Sequence, residues 1–290
     1  MKSYRLWTAW QLDAAFLTYR KSPAGDAARA ETAKAIRQYM ESVSAPAYHD
    51  KLIPPYAFGS KRPVMDHGYL SATNLENFCL VKCDGVGSVE SDGRAIVDAL
   101  GNRHEVDIVI LANGFQTQDL LAPMRIQGLS SRELRQDWKT RGGAEAYMGS
   151  VVADSSLLSS GPLLMICSVS TAGYPNLFFL AGPNTLPSSN STLHGIECSV
   201  VYITRVLQRL KQRGQLNSAV LDVSPDAEKG FNEMVQRNIS KLIYAKTVST
   251  WYINKDTGKN TLVWPGTQLS FWYSRCVKAI NWSAWKIKST

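Results

Sequence analysis

The chain has 290 residues, 44% of them hydrophobic and 19% charged, which is ordinary for a globular protein and excludes a disordered or collagen-like chain. A formal charge of +8 leaves nucleic acid, an anionic membrane or a phosphorylated cofactor open as partners, yet the basic residues are scattered over most of the sequence and favour a solvated surface. Five cysteines at irregular spacing do not make a disulfide framework, and no apolar run approaches the ~18 residues of a membrane span. With no leader-like start at Met1-Lys-Ser-Tyr-Arg-Leu-Trp7, the expected location is the cytoplasm.

In chain order, apolar residues from Tyr4 to Ser42 recur at helical spacing with a break at Ser22-Pro-Ala-Gly25, which predicts a helical pair. Pro54-Pro55 ends that region. Short β-rich runs follow at 78–82, 86–89, 96–100 and 106–111, with Asp92-Gly93 as a hairpin turn between the second and third. Cys79 in the first run and Cys83 just past its end fall on one face and read as core thiols, because no second Cys/His pair completes a zinc site. The run 106–111 is apolar throughout, as a strand covered on both faces would be. A further strand is expected at 177–181, before Gly182-Pro183.

Ser188-Ser-Asn-Ser-Thr192 then supplies capping residues for a helix over 193–212, and Val223-Ser-Pro-Asp226 starts another that runs to Ile243. The nearly uncharged stretch 150–168, with Asp154 as its one carboxylate, interrupts the pattern; it reads either as a solvent-exposed excursion or as a short unspliced intron. After Asp256 the chain has no acidic residue but keeps Lys259, Arg275, Lys278, Lys286 and Lys288 among Trp272, Trp282 and Trp285. Such a tail suits a membrane interface or packing on the domain, and the second reading is favoured.

Two strand-to-glycine segments carry the most chemistry: Asp107-Ile-Val-Ile-Leu-Ala-Asn-Gly-Phe115 and Tyr174-Pro-Asn-Leu-Phe-Phe-Leu-Ala-Gly-Pro-Asn-Thr185. Glycine after a buried strand lets backbone approach a bulky cofactor at the ligand crevice of a doubly wound sheet. No G-x-G-x-x-G follows a strand anywhere, so the usual phosphate-binding turn is absent from this sequence. Hydrolase chemistry finds no G-x-S-x-G elbow to go with His67, His104 and His194. Asp66-His67 and His194-Gly-Ile-Glu197 offer two metal ligands each, too few for a site, so no metal is expected.

Five further segments keep company with these two: Phe58-Gly-Ser-Lys-Arg62, Gly68-Tyr-Leu-Ser-Ala-Thr-Asn74, Ser191-Thr-Leu-His-Gly-Ile-Glu197, Thr250-Trp-Tyr252 and Gly258-Lys-Asn-Thr-Leu-Val-Trp-Pro-Gly266. In order and spacing they resemble the C-terminal half of the Baeyer–Villiger-type FAD- and NADPH-dependent flavoprotein monooxygenases, nearest to fungal secondary-metabolism members. Asn113 stands where that family usually has Thr. The resemblance implies an α/β, partial two-dinucleotide-binding-domain flavoprotein fold with a helical subdomain and without the N-terminal Rossmann turns. The expected divisions are a helical subdomain at 1–56, the remainder of an NADPH-binding domain and interdomain hinge at 57–115, and the C-terminal part of an FAD-binding domain at 116–290.

The resemblance also implies roles. Arg62 matches the family's catalytic arginine, a permanent cation for developing negative charge. Lys61 matches the lysine that contacts the NADPH 2′-phosphate. Gly114 and Phe115 match the hinge, Asn184, Asn190 and Ser191 lead into a helix facing the flavin, and Trp251 matches an aromatic over the nicotinamide. The cofactors implied are FAD and NADP, and the substrate is a ketone-bearing small molecule such as a polyketide or terpenoid; no nucleic-acid partner is expected. Because the two glycine-rich turns are lacking, a complementing N-terminal half is expected for activity. An inactive fragment and a small-molecule binding or isomerising protein are the alternatives.

Overall fold

A computed structural model of the chain describes residues 13–91, 93–148, 170–187, 190–245 and 250–289. The stretch 150–168 and Cys167 lie outside them, as do Asp92 and the start of the expected helical pair. The chain divides into two compact units, one of residues 1–30, 58–63 and 117–290 and one of residues 31–57 and 64–116.

The predicted helical break at Ser22-Pro-Ala-Gly25 is a helix start. Helix α1 (Pro23–Val43) begins with proline in its first turn, and the Ser22 hydroxyl accepts from Gly25 N at 3.1 Å. Proline fits there because its missing N–H would find no helical partner. Ala15–Tyr19, immediately upstream, forms a tighter 3-10 turn.

The smaller unit holds a three-stranded antiparallel sheet of β1 (Val86–Val89), β2 (Ala95–Asp98) and β3 (Arg103–Glu105), in that order. The hairpin between β1 and β2 turns where expected, with Gly93 N donating to Glu90 O. Asp98 fastens the β2–β3 turn by accepting from Leu100 N and Asn102 N, each at 2.9 Å, and by pairing with His104 at 3.0 Å. The hydrogen bond from His104 holds the Asp98 carboxyl well below the usual carboxylate range.

Three expected strands are corrected: 78–82, 106–111 and 177–181 belong to no strand among the described residues. A strand exists only by pairing its backbone with a neighbour, and 106–111 leaves β3 with a single bond, from Val106 N to Arg94 O, before running on without a ladder. Its side chains are correspondingly uncovered, with Ile108, Ile110 and Leu111 each about four-fifths exposed (79%, 84% and 81%). Cys79 is likewise exposed and Cys83 only half-buried, so the reading of both as core thiols is corrected too. With no strand, the alternation that would have turned them inward is lost.

The larger unit contains helices α2 (Leu134–Thr140), α3 (Thr192–Gln212), α4 (Pro225–Ile239) and α5 (Gln268–Trp272), the last continued by a π-helical turn at Tyr273–Val277. Strand β4 (Ala219–Val223) pairs antiparallel with β5 (Trp285–Ser289), Leu221 facing Ile287 and Val223 facing Trp285. On α3 the buried residues Cys198, Ser199, Tyr202, Val206 and Leu210 recur at helical spacing, and on β4 Leu221 and Val223 alternate inward. They meet Phe231 and Val235 of α4 and Trp264, Phe271 and Trp285 in one core. Helix α4 ends at Ile239, a turn before the sequence suggested. The tail tryptophans pack onto this core, Trp285 buried and Trp272 and Trp282 against its rim. Among the described residues no helix is long and apolar enough to cross a membrane.

Candidate functional site

The Phe58-Gly-Ser-Lys-Arg62 loop is anchored by its glycine. Gly59 has φ +81°, and a Cβ placed there would lie 2.9 Å from Tyr19 Cε1 and 3.2 Å from Ile243 Cδ1. Tyr19 cannot swing aside, because it is buried and stacked on Tyr244 at 5.4 Å. Gly59→Ala is therefore expected to lower stability by about 2 kcal/mol, combining left-handed strain with a clash. Gly258→Ala, with φ +70° and open space around it, should cost less. Urea unfolding of the two variants measures the difference, and equal costs would refute the clash.

Gly59 and Ser60 are buried while Lys61 and Arg62 reach solvent. Arg62 Nη2 donates to Asn190 O at 3.3 Å, bringing together two residues far apart in sequence at the start of α3. That start is rigidly held. Ser191 caps the helix by accepting from His194 N, its own N–H donates to Asn190 Oδ1 at 2.8 Å and Gln268 Oε1 at 3.0 Å, and Gln268 Nε2 donates back to Ser191 O at 2.7 Å. The Asp13 carboxylate accepts from Gln268 N and Leu269 N at 2.8 and 2.7 Å, and burial pushes its carboxyl above the usual range. Asp13 and Gln268 are positioning residues that the sequence did not reveal, since Gln268 reaches Ser191 across 77 positions of chain and Asp13 reaches Gln268 across 255.

Beside Arg62 lies Tyr252, buried, its hydroxyl pushed up to about 12 by burial while the positive charge of Arg62 pulls it down. The neighbouring Trp251 is 45% exposed, with its ring centroid 4.5 Å from that of Tyr252. Its carbonyl accepts from Thr117 Oγ1 and Gln118 Nε2, at 3.0 and 2.8 Å. Asn184 sits inside the fold: fully buried, it donates through Nδ2 to Asn260 O and Val263 O at 2.9 and 3.1 Å. This ties the Ala181–Thr185 region to the Gly258–Gly266 motif, and the bonds from Leu186 N to Leu262 O and from Trp264 N to Leu186 O continue the tie. Gly114 and Phe115 belong to the smaller unit, Gly114 at φ +88° and Phe115 94% exposed.

Arg62, Asn190 and Ser191 thus form one cluster with Tyr252 at its edge. An exposed guanidinium beside the positive end of a long helix suits an electron-rich, anionic group. That donor set fits the ring end of a flavin. The diphosphate finds no comparable cradle among the described residues, where no G-x-G-x-x-G turn leads into a helix.

No family model matches the sequence. Curated relatives do: the chain is 31% identical over 233 residues to a Baeyer-Villiger monooxygenase of Pseudomonas aeruginosa, covering 80% of this chain and 39% of that protein. It is 27% identical over 249 residues to the FAD-binding monooxygenase ktnD of Aspergillus niger, covering 84% of this chain and 36% of that protein. Among solved structures, a steroid monooxygenase bound to NADP superposes with a TM-score of 0.70 at 23% identity, over 94% of this chain and 46% of the other. A closed form of cyclohexanone monooxygenase gives 0.70 at 22%, again over 94% and 46%.

The fold is therefore the α/β fold of the flavoprotein monooxygenases, in part. The chain is similar to the C-terminal half of the Baeyer–Villiger-type monooxygenases and carries the motifs of that half. It spans less than half the length of the relatives it matches.

Proposed function

We propose that this chain provides the C-terminal half of an FAD- and NADPH-dependent monooxygenase that inserts an oxygen atom beside a ketone, within the cytoplasm and in secondary metabolism. The observation that carries the reading is the contact of Arg62 with Asn190 at the start of α3. It fixes a permanent cation beside a helix N-terminus. A bound flavin would supply the redox chemistry, taking electrons from NADPH and activating dioxygen. Arg62 would stabilise the negative charge that develops on oxygen as the ketone reacts, Ser191 and Asn190 would orient the electron-rich ring edge, and Trp251 would cover the site from solvent. Lys61 would hold the 2′-phosphate of NADPH as a point charge. The substrate in this reading is a ketone-bearing small molecule such as a polyketide or terpenoid.

The uncovered run 106–111 favours a complementing N-terminal half, on the same polypeptide or on another. Its apolar side chains and unladdered backbone have the character of a strand waiting for a sheet, and the diphosphate-binding turns would arrive with that sheet. The test is flavin absorbance after gel filtration. The chain alone is expected to retain little FAD; produced together with an N-terminal half, such as that of the Pseudomonas relative, it should elute yellow and stoichiometric. A yellow, stoichiometric holoprotein from the chain alone would show that no complement is needed.

A further inference from the structure

Helix α3 carries a second constellation, independent of the reading above. Cys198, Tyr202 and Arg205 lie at i, i+4 and i+7, one stripe of the helix. Arg205 Nη1 donates to Arg275 O at 2.5 Å and Nη2 to Lys278 O at 2.6 Å, so its guanidinium clamps the chain on both sides of Cys276 in the π-helical turn. Held there, Cys276 packs against the core that contains Cys198, and the Cys198 thiol beside it lowers the pKa of the Cys276 thiol. His194, one turn earlier on α3, places its Nε2 3.7 Å from Cys198 Sγ. The Arg275 guanidinium is buried, centred 4.6 Å from the Phe271 ring and 6.0 Å from the Tyr202 ring.

The two thiols differ in the ways that matter for oxidation. Cys198 is buried at 1% exposure, whereas Cys276 is half-buried and within reach of a small solute. The Cys198 thiol holds the Cys276 thiol below its ordinary range in spite of burial, and the charges of Arg275 and Arg205 add to the effect. A thiolate is the reactive form, so Cys276 has the character of an attacking sulfur and Cys198 that of a resolving one.

We propose that Cys276 and Cys198 form a peroxide-oxidisable pair that closes to a disulfide between the π-helical turn and α3. The Cys276 thiolate attacks one oxygen of a hydroperoxide: the S–O bond forms, the O–O bond breaks, and the departing oxygen takes a proton and leaves as water or an alcohol. Cys198 sulfur then attacks the sulfenic sulfur, the S–S bond forms, and the S–O bond breaks. Hydroxide leaves as water with the Cys198 proton, for which His194 Nε2 is the adjacent base. Two thiols lose two electrons and one hydroperoxide is reduced. The bond links the helix that opens at Asn190 and Ser191 to the segment leading into the tryptophan-rich tail.

The experiment uses the full chain carrying Cys79→Ser, Cys83→Ser and Cys167→Ser, so that only the pair remains. After treatment with hydrogen peroxide and alkylation, the intact mass should lack two hydrogens, with neither thiol alkylated. Digestion should give one peptide pair linked through 198 and 276 and separated by dithiothreitol. Adding Cys198→Ser should stop the reaction at a dimedone-reactive sulfenic acid on Cys276. The untreated wild type guards against a misfolded variant, since the same linked peptide should form in it under peroxide. If Cys276 in the wild type ends unreacted or as sulfinic acid, with no 198–276 link, the proposal fails.

Discussion

Replacing Arg62 with alanine is expected to lower ketone oxygenation by about two to three orders of magnitude, the usual cost of removing one group aimed at developing oxyanion charge. The assay uses chain complemented by an N-terminal half and follows product at saturating NADPH. Two features of the fold make the effect specific to chemistry. Arg62 is exposed and makes its bond to a backbone carbonyl, so its loss leaves no buried charge behind. The start of α3 keeps its bond to Gln268, itself held by Asp13, without it. Flavin content should therefore stay near that of wild type while turnover collapses. Lys61→Ala should instead raise the NADPH concentration needed for half-maximal rate and spare turnover at saturation. Near wild-type product formation by Arg62→Ala would remove the catalytic assignment, even if the chain still bound flavin.

The largest expected effect on stability lies away from the site. Glu228 on α4 is almost fully buried and accepts from Arg141 Nη1 at 2.9 Å and from Thr171 Oγ1 at 2.6 Å. Burial raises its carboxyl above the ordinary value, and Thr171 and Arg141 work in the opposite direction. Arg141→Ala leaves the carboxylate buried without its cation, which is expected to cost about 3 kcal/mol near neutral pH, the low end for a broken buried pair because Arg141 is itself 27% exposed. An acid whose folded pKa exceeds its unfolded one holds more protons in the folded state across that window. Stability then falls as pH rises through the window and is recovered below it. Removing Arg141 raises the folded pKa further and widens the window. Urea unfolding should thus show a deficit that is large at about pH 8 and shrinks towards about pH 5. A deficit independent of pH would mean that Glu228 is not its source.

The sequence by itself determined the long helix α3, the start of α4 and the identity of the motifs, but not α2 or α5. Capping residues placed α3 within one residue at its start and to its last residue, because a helix start is signalled by local side chains wherever its packing partner lies. Ser191 announced the cap, and the Gly-Ser-Lys-Arg loop and the strand-to-glycine segments announced a flavoprotein monooxygenase through residue order alone. The run 106–111 shows the limit of such reading. Its composition is that of a strand buried on both faces, but composition states only what the residues would gain by burial, and pairing requires a second backbone that the described residues do not offer. Cys79 and Cys83 failed for the same reason, since a face exists only once the strand does. What the tertiary structure alone decided is every relation between distant positions: Arg62 on the Asn190 carbonyl, Asp13 and Gln268 behind Ser191, Asn184 turned inward to bind the 260–263 loop, and Cys276 against Cys198. These depend on where the chain returns to itself, and local spacing carries no information about that, because hydrogen bonds and thiol contacts act over a few ångströms while the residues that make them stand tens to hundreds of positions apart.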